Sequence, residues 1–197
     1  MSMLFWNSQG AASAPFRRVF RMIVQEHRPL VVSLFEPRVS GIQVDKVVAA
    51  FGFNRSFRIE AHGFSGGLWL LWRELVRLDI LTVSNQFLHG RYKLEAFDRW
   101  IFFTFVYASP EVAKRKCLWG QLNPGMGHHW VLRGDFNVIL SSNERRGCSK
   151  FGGGDSLIFV EFLFDAELMD LGFLGVPFTW NQGDLYDRLD RCLGNTK

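Results

Sequence analysis

An acid and an amide two residues apart, Asp135 and Asn137 in RGDFNVIL, leave a short apolar run, WVL, that reads as a buried strand. The carboxylate can accept a proton from water, and the amide can donate a hydrogen bond to an oxygen that gains charge in a transition state. Asn7, Glu36, Tyr107 and Asp190 also stand at or just beyond the ends of predicted strands. Taken singly, each has an ordinary structural reading. Asn7 reads as a turn residue, Glu36 as an exposed charge and Tyr107 as a core aromatic with a polar tip. Asp135 and Asn137 suit an Asx-type turn, and Asp190 suits a partner for Arg188 or Arg191.

The elements that must position these groups follow from hydrophobic periodicity. Residues 3–6 read as a strand, followed by a helix opened by Pro15 and ended by Pro29. Phe16, Val19, Phe20, Ile23 and His27 share helical spacing, which leaves Arg17, Arg18 and Arg21 largely on the other side. Residues 30–35 form a continuous apolar run, the mark of a strand covered on both faces, with Glu36 at its edge. A helix is predicted over 42–51. Residues 57–60, 67–72, 76–83, 87–94 and 100–107 then read as the strands of a β-meander. A helix over 111–122, a strand over 130–134 and a helix N-capped by Asp155 come next. The last strands are predicted at 178–180 and 188–193. Two stacked sheets flanked by helices would let acids from distant strand ends converge on one rim.

The 197 residues fit one α/β domain, and 48% hydrophobic against 21% charged residues exclude a disordered chain. Lys and Arg number 23 against 19 Asp and Glu, for a net +4 and a pI near 9.2. That excess suits a polyanionic partner without demanding one. Cys117, Cys148 and Cys192 lie far apart with no C-x-x-C spacing, so neither a disulfide partner nor a zinc site is expected. His128 and His129 read as loop residues. The apolar runs LIFVEFLF and WIFFTFVY fall short of the roughly 18 residues of a membrane span. The amino terminus lacks the pattern of a signal peptide, and an intracellular monomer is expected.

WN, FEPR, GFSGG, VYAS, RGDFN, FTW and RLDR occur here in the order in which one superfamily places them. The chain resembles the endonuclease/exonuclease/phosphatase superfamily from Leu4 to Leu193. It is most similar to the endonuclease domain of plant non-LTR retrotransposons, which is apurinic/apyrimidinic endonuclease-like. The resemblance implies a four-layered α/β sandwich and phosphodiester cleavage dependent on Mg²⁺ or Mn²⁺. It further implies that Glu36 and Asn7 serve the metal, that Tyr107 contacts the scissile phosphate and that Asp135 and Asn137 orient water. Asp190 would steer a later histidine. A hard cation with oxygen ligands and its own waters suits such a set. Gly63 to Gly67 would let backbone approach a phosphate, and Arg17, Arg18, Arg21, Arg145, Arg146 and Lys150 would neutralise DNA phosphates. The nucleus is the compartment such a partner implies.

The family's terminal Ser-Asp-His run does not occur in these residues. A sandwich lacking its last strands, with an unpaired edge and exposed apolar surface, is therefore expected. Activity is expected to be weak or lost, the alternative being an inactive retroelement-derived remnant that at most binds nucleic acid. Ser8-Gln9 and Pro37 replace residues common in the family, and Pro37 is expected to hold Glu36 in extended backbone.

Overall fold

The computed structural model describes residues 2–8, 10–11, 13–38, 42–59, 67–96, 99–122, 127–147 and 153–195. The chain divides into two compact units, Met1–Arg77 with Lys93–Asp98 and Leu78–Tyr92 with Arg99–Lys197.

In the first unit, β1 (Met3–Asn7), β2 (Val31–Phe35), β3 (Arg55–Ile59) and β4 (Leu68–Trp72) form a sheet of order β1-β2-β4-β3. β1 and β2 are parallel, which requires a crossover, and α1 (Ala14–His27) supplies it. Ser13 caps that helix by accepting from the Phe16 amide at 3.3 Å, and Pro15 lies in its first turn. The helix stops at Arg28, whose φ of 43° is left-handed and whose N–H reaches the Val24 carbonyl at 3.0 Å. Phe16, Phe20 and Val24 bury against Val32, Leu34, Trp69 and Leu71 of the sheet. Val47 and Phe51, at and beyond the end of α2 (Ile42–Ala49), complete this core. β2 is buried along its whole length, as its uninterrupted apolar sequence implies.

The second sheet has the order β10-β13-β8-β7-β6-β5. Its strands are β5 (Val76–Val83), β6 (Phe87–Leu94), β7 (Ile101–Tyr107), β8 (Trp130–Asp135), β10 (Leu168–Asp170) and β13 (Asp190–Asn195). β8 runs parallel to β7 and antiparallel to β13. Helices α3 (Val112–Gln121) and α4 (Gly153–Asp165) pack Leu118, Trp119, Phe159 and Phe162 against Val106, Trp130, Leu132 and Leu193. Trp119 lies 4.9 Å from Phe159 and 5.2 Å from Phe162, centroid to centroid, which ties the helices together. A small third sheet joins β11 (Trp180–Gln182), β12 (Leu185–Asp187) and β9 (Arg145–Arg146).

Two expectations about the elements are corrected. The five middle strands do not form one meander, because β3 and β4 pair in the first sheet whereas β5, β6 and β7 pair in the second. Hydropathy marks strands but carries no record of which edge receives them. Asp155 does not cap α4, which already begins at Gly153. Its carboxylate pairs instead with the buried Arg115 of α3. No helix among the described residues is long and apolar enough to cross a membrane.

Candidate active site

Tyr107, Asp135 and Asp190 stand side by side on three adjacent strands. Tyr107 is paired with Asp135 across β7 and β8, and Asp135 with Asp190 across β8 and β13. Residues directly opposite one another project to the same face, with Cβ atoms about 4.5–5.5 Å apart in the antiparallel pair. Asp190 opens its strand whereas the other two close theirs. Because β13 runs antiparallel to β8, a strand start and a strand end share one rim.

Local sequence builds this row. Gly134 has φ 154°, and a Cβ placed there would come within 1.8 Å of the Val106 carbonyl oxygen. Only glycine admits that approach. Beyond Asp135 the chain reverses: Asn137 takes φ 49°, its N–H donates to Asp135 Oδ1 at 2.9 Å, and its Nδ2 donates to the Ala108 carbonyl at 2.7 Å. One Asx turn thus fixes the Asp135 carboxylate and the Asn137 amide together. The Thr179 hydroxyl oxygen accepts from the backbone N–H groups of Leu189 and Asp190, each at 3.0 Å. Burial pushes the Asp190 carboxyl above the ordinary range, opposed by its hydrogen bond with Thr179 and by the charges of Arg133 and Arg191.

In the first unit, Asn7 is paired with Phe35, the residue before Glu36. The backbone is pinned around them, with Ser8 N–H on Phe35 O at 2.8 Å, Gly10 N–H on Glu36 O at 2.9 Å and Glu36 N–H on Gly67 O at 3.1 Å. Glu36 takes φ 48° rather than the extended conformation that Pro37 favours, because these bonds override the local preference. Its carboxylate accepts from Arg38 at 2.7 Å. Asn7 Oδ1 is buried without a hydrogen-bond partner, which costs free energy unless something else meets it. A hard divalent cation fits that orphaned oxygen and the neighbouring carboxylate, since such an ion takes oxygen donors and keeps several waters. Among the described residues no three His, Cys, Asp or Glu side chains cluster at metal-binding spacing.

The predicted cationic contacts divide into four groups. Arg18 and Arg21 are exposed on α1, and Arg17 is half-buried there. Arg145 donates from Nε and Nη2 to the two oxygens of the buried Asp187 at 2.8 and 2.6 Å. Arg146 is exposed and lies over the rings of Tyr186 at 4.1 Å and Phe178 at 5.3 Å. Lys150, Cys148 and Gly63 to Gly66 lie outside the described residues.

Thr179, Gly134 and a partly buried ionic network carry no role in the sequence reading. Arg191, fully buried, and Arg188 both donate to Glu144 and to Asp170. Partners 18 to 47 residues apart leave no local signature. Nearby, a cavity of about 430 Å³ is lined by Arg115, Asn137, Arg145, Asp155, Trp180 and Asp187, among others.

Residues 4–197 match the sequence model of the Endonuclease/Exonuclease/phosphatase family. No curated protein is significantly similar in sequence. Among solved structures, the chain is similar to the endonuclease domain of TRAS1, a telomere-specific non-LTR retrotransposon, at TM-score 0.65 and 14% identity, covering 97% of this chain and 82% of that one. It is similar to the AP endonuclease LMAP of Leishmania major at TM-score 0.65 and 14% identity, with coverage of 98% and 78%. Against D. rerio TDP2 complexed with single strand DNA product the TM-score is 0.68 at 14% identity, with coverage of 99% and 83%. Likeness at this identity shows the fold, an α/β sandwich.

Proposed function

Because this chain belongs to the Endonuclease/Exonuclease/phosphatase family, whose general chemistry is phosphodiester hydrolysis, we propose that it is a DNA endonuclease dependent on Mg²⁺ or Mn²⁺. The observation that carries this reading is the row of Tyr107, Asp135 and Asp190 with the Asn137 amide folded back beside it. Asp135 takes the proton from a water as its oxygen bonds to phosphorus and the bond to the leaving sugar oxygen breaks, that oxygen taking a proton from solvent. The Tyr107 hydroxyl and the Asn137 amide donate to phosphate oxygens that gain charge in that step. Within the first unit, Asn7 and Glu36 would hold the cation, whose chemistry when bound is that of a Lewis acid. Arg17, Arg18, Arg21 and Arg146, with Lys150, supply contacts to the DNA backbone.

A second reading is favoured by Arg38, whose guanidinium already occupies the Glu36 carboxylate. A chain in which that ion pair persists would bind nucleic acid without cutting it. Supercoiled plasmid with Mg²⁺ separates the two. The expected outcome is nicking that falls about 10²-fold or more in Asp135→Ala. Salt-sensitive DNA binding with no nicking in the wild type would overturn the enzyme and leave the binder.

A further inference from the structure

We propose that Arg115 is a positioning residue for Asn137, anchored by Asp155 and acting through the Ala108–Ser109 backbone. The role rests on the reading of Asn137 as a group that touches the phosphate. Ala108 O accepts from Asn137 Nδ2 at 2.7 Å, and the next carbonyl, Ser109 O, accepts from Arg115 Nη1 at 2.7 Å. Of two consecutive carbonyls in one segment, the first therefore holds the amide and the second is held by a buried guanidinium. Arg115 Nη2 donates to Asp155 Oδ2, and Ser156, the next residue of α4, donates its hydroxyl to Ile139 O at 2.6 Å. The strut thus grips the residues on both sides of the site, before it at Ser109 and after it at Ile139.

Stability is a weak explanation for this pair. Arg115 is 4% exposed, and both Arg115 Nε and Asp155 Oδ1 are buried without partners. An incompletely satisfied buried ion pair is often no better for stability than apolar residues of similar volume. What it supplies is direction, because a planar guanidinium fixes the carbonyl it binds more tightly than apolar packing does. Both side chains also line the cavity that Asn137 enters.

The test is the full chain carrying Arg115→Met and Asp155→Leu together, which removes both charges and keeps apolar bulk. Its melting temperature is expected within about 5 °C of the wild type. The Asn137 side-chain NH₂ signals of ¹⁵N-labelled protein, assigned by their loss in Asn137→Asp, are expected to exchange with water about tenfold faster or more. Arg115→Lys, which keeps a donor for Ser109 O, restores part of the protection. Unchanged Asn137 signals in the double variant would overturn the role. So would a double variant that fails to fold, since the pair would then be a stabilising brace. None of these readouts needs catalysis: altered Asn137 signals in a protein whose wild type never nicks DNA would uphold the strut and sink the nuclease, and unaltered signals beside robust nicking would do the reverse.

Discussion

Asp190 shows how a single carboxyl can oppose the fold that holds it. Its folded-state pKa is raised, chiefly by burial, so ionisation at neutral pH costs stability. The favourable contribution is fully present below the ordinary 3.8 and is lost as pH rises through the folded value. Asp190→Asn is therefore expected to melt a few degrees above the wild type at pH 7, with the gap closing in acid. The same substitution is expected to slow nicking. A variant that melts lower at pH 7 than at pH 4, relative to wild type, contradicts the sign. Gly134 is the opposite case, a residue with no chemistry that the fold cannot replace. Gly134→Ala places a methyl against the Val106 carbonyl and is expected to cost about 3 kcal/mol or more in urea unfolding.

At the scale of elements, the Glu144–Asp170–Arg188–Arg191 network joins the 3-10 turn Ser142–Glu144, the end of β10 and the start of β13. Burial alone would raise both carboxyls, but hydrogen bonds and charge from Arg191 and Arg188 outweigh it and lower them from 4.5 and 3.8. Their contribution is present at neutral pH and is lost as pH falls through the lowered values. Acid unfolding is expected to soften this region first, followed by hydrogen exchange at Leu140 and Gly172, whose amides bond these carboxylates. Glu144→Gln leaves buried Arg191 with a weakened counter-charge and is expected to cost about 3–5 kcal/mol. A loss under 1 kcal/mol would show the network to be dispensable.

At the scale of the whole molecule, charge is unevenly shared. The first unit carries eleven Lys and Arg against seven Asp and Glu, and the second twelve against twelve. The net +4 therefore belongs to the first unit, whereas many cations of the second are spent on internal carboxylates. Non-specific DNA binding is expected to depend on α1. Replacing Arg17, Arg18 and Arg21 with Gln should flatten the slope of log K against log salt by about 2 to 3, near 0.9 for each DNA phosphate no longer neutralised. An unchanged slope would place the DNA-binding cations elsewhere.

How much of this was legible in the chain depends on how local the cause is. The run at 30–35 announced a strand covered on both faces, helical spacing marked α1, and Asp135-x-Asn137 encoded its own turn, since an Asx side chain reaches a backbone amide two residues on. The order of short motifs was enough to indicate the family. Register lay beyond the sequence: that Asp190 opens a strand opposite Asp135, that β4 and β5 part into different sheets, and that Asp155 answers Arg115 rather than capping its helix. Periodicity and turn chemistry act over a few residues and so can be read along the chain. Pairing across strands and between buried charges is settled only when distant segments compete for the same neighbours, and that competition exists in three dimensions alone.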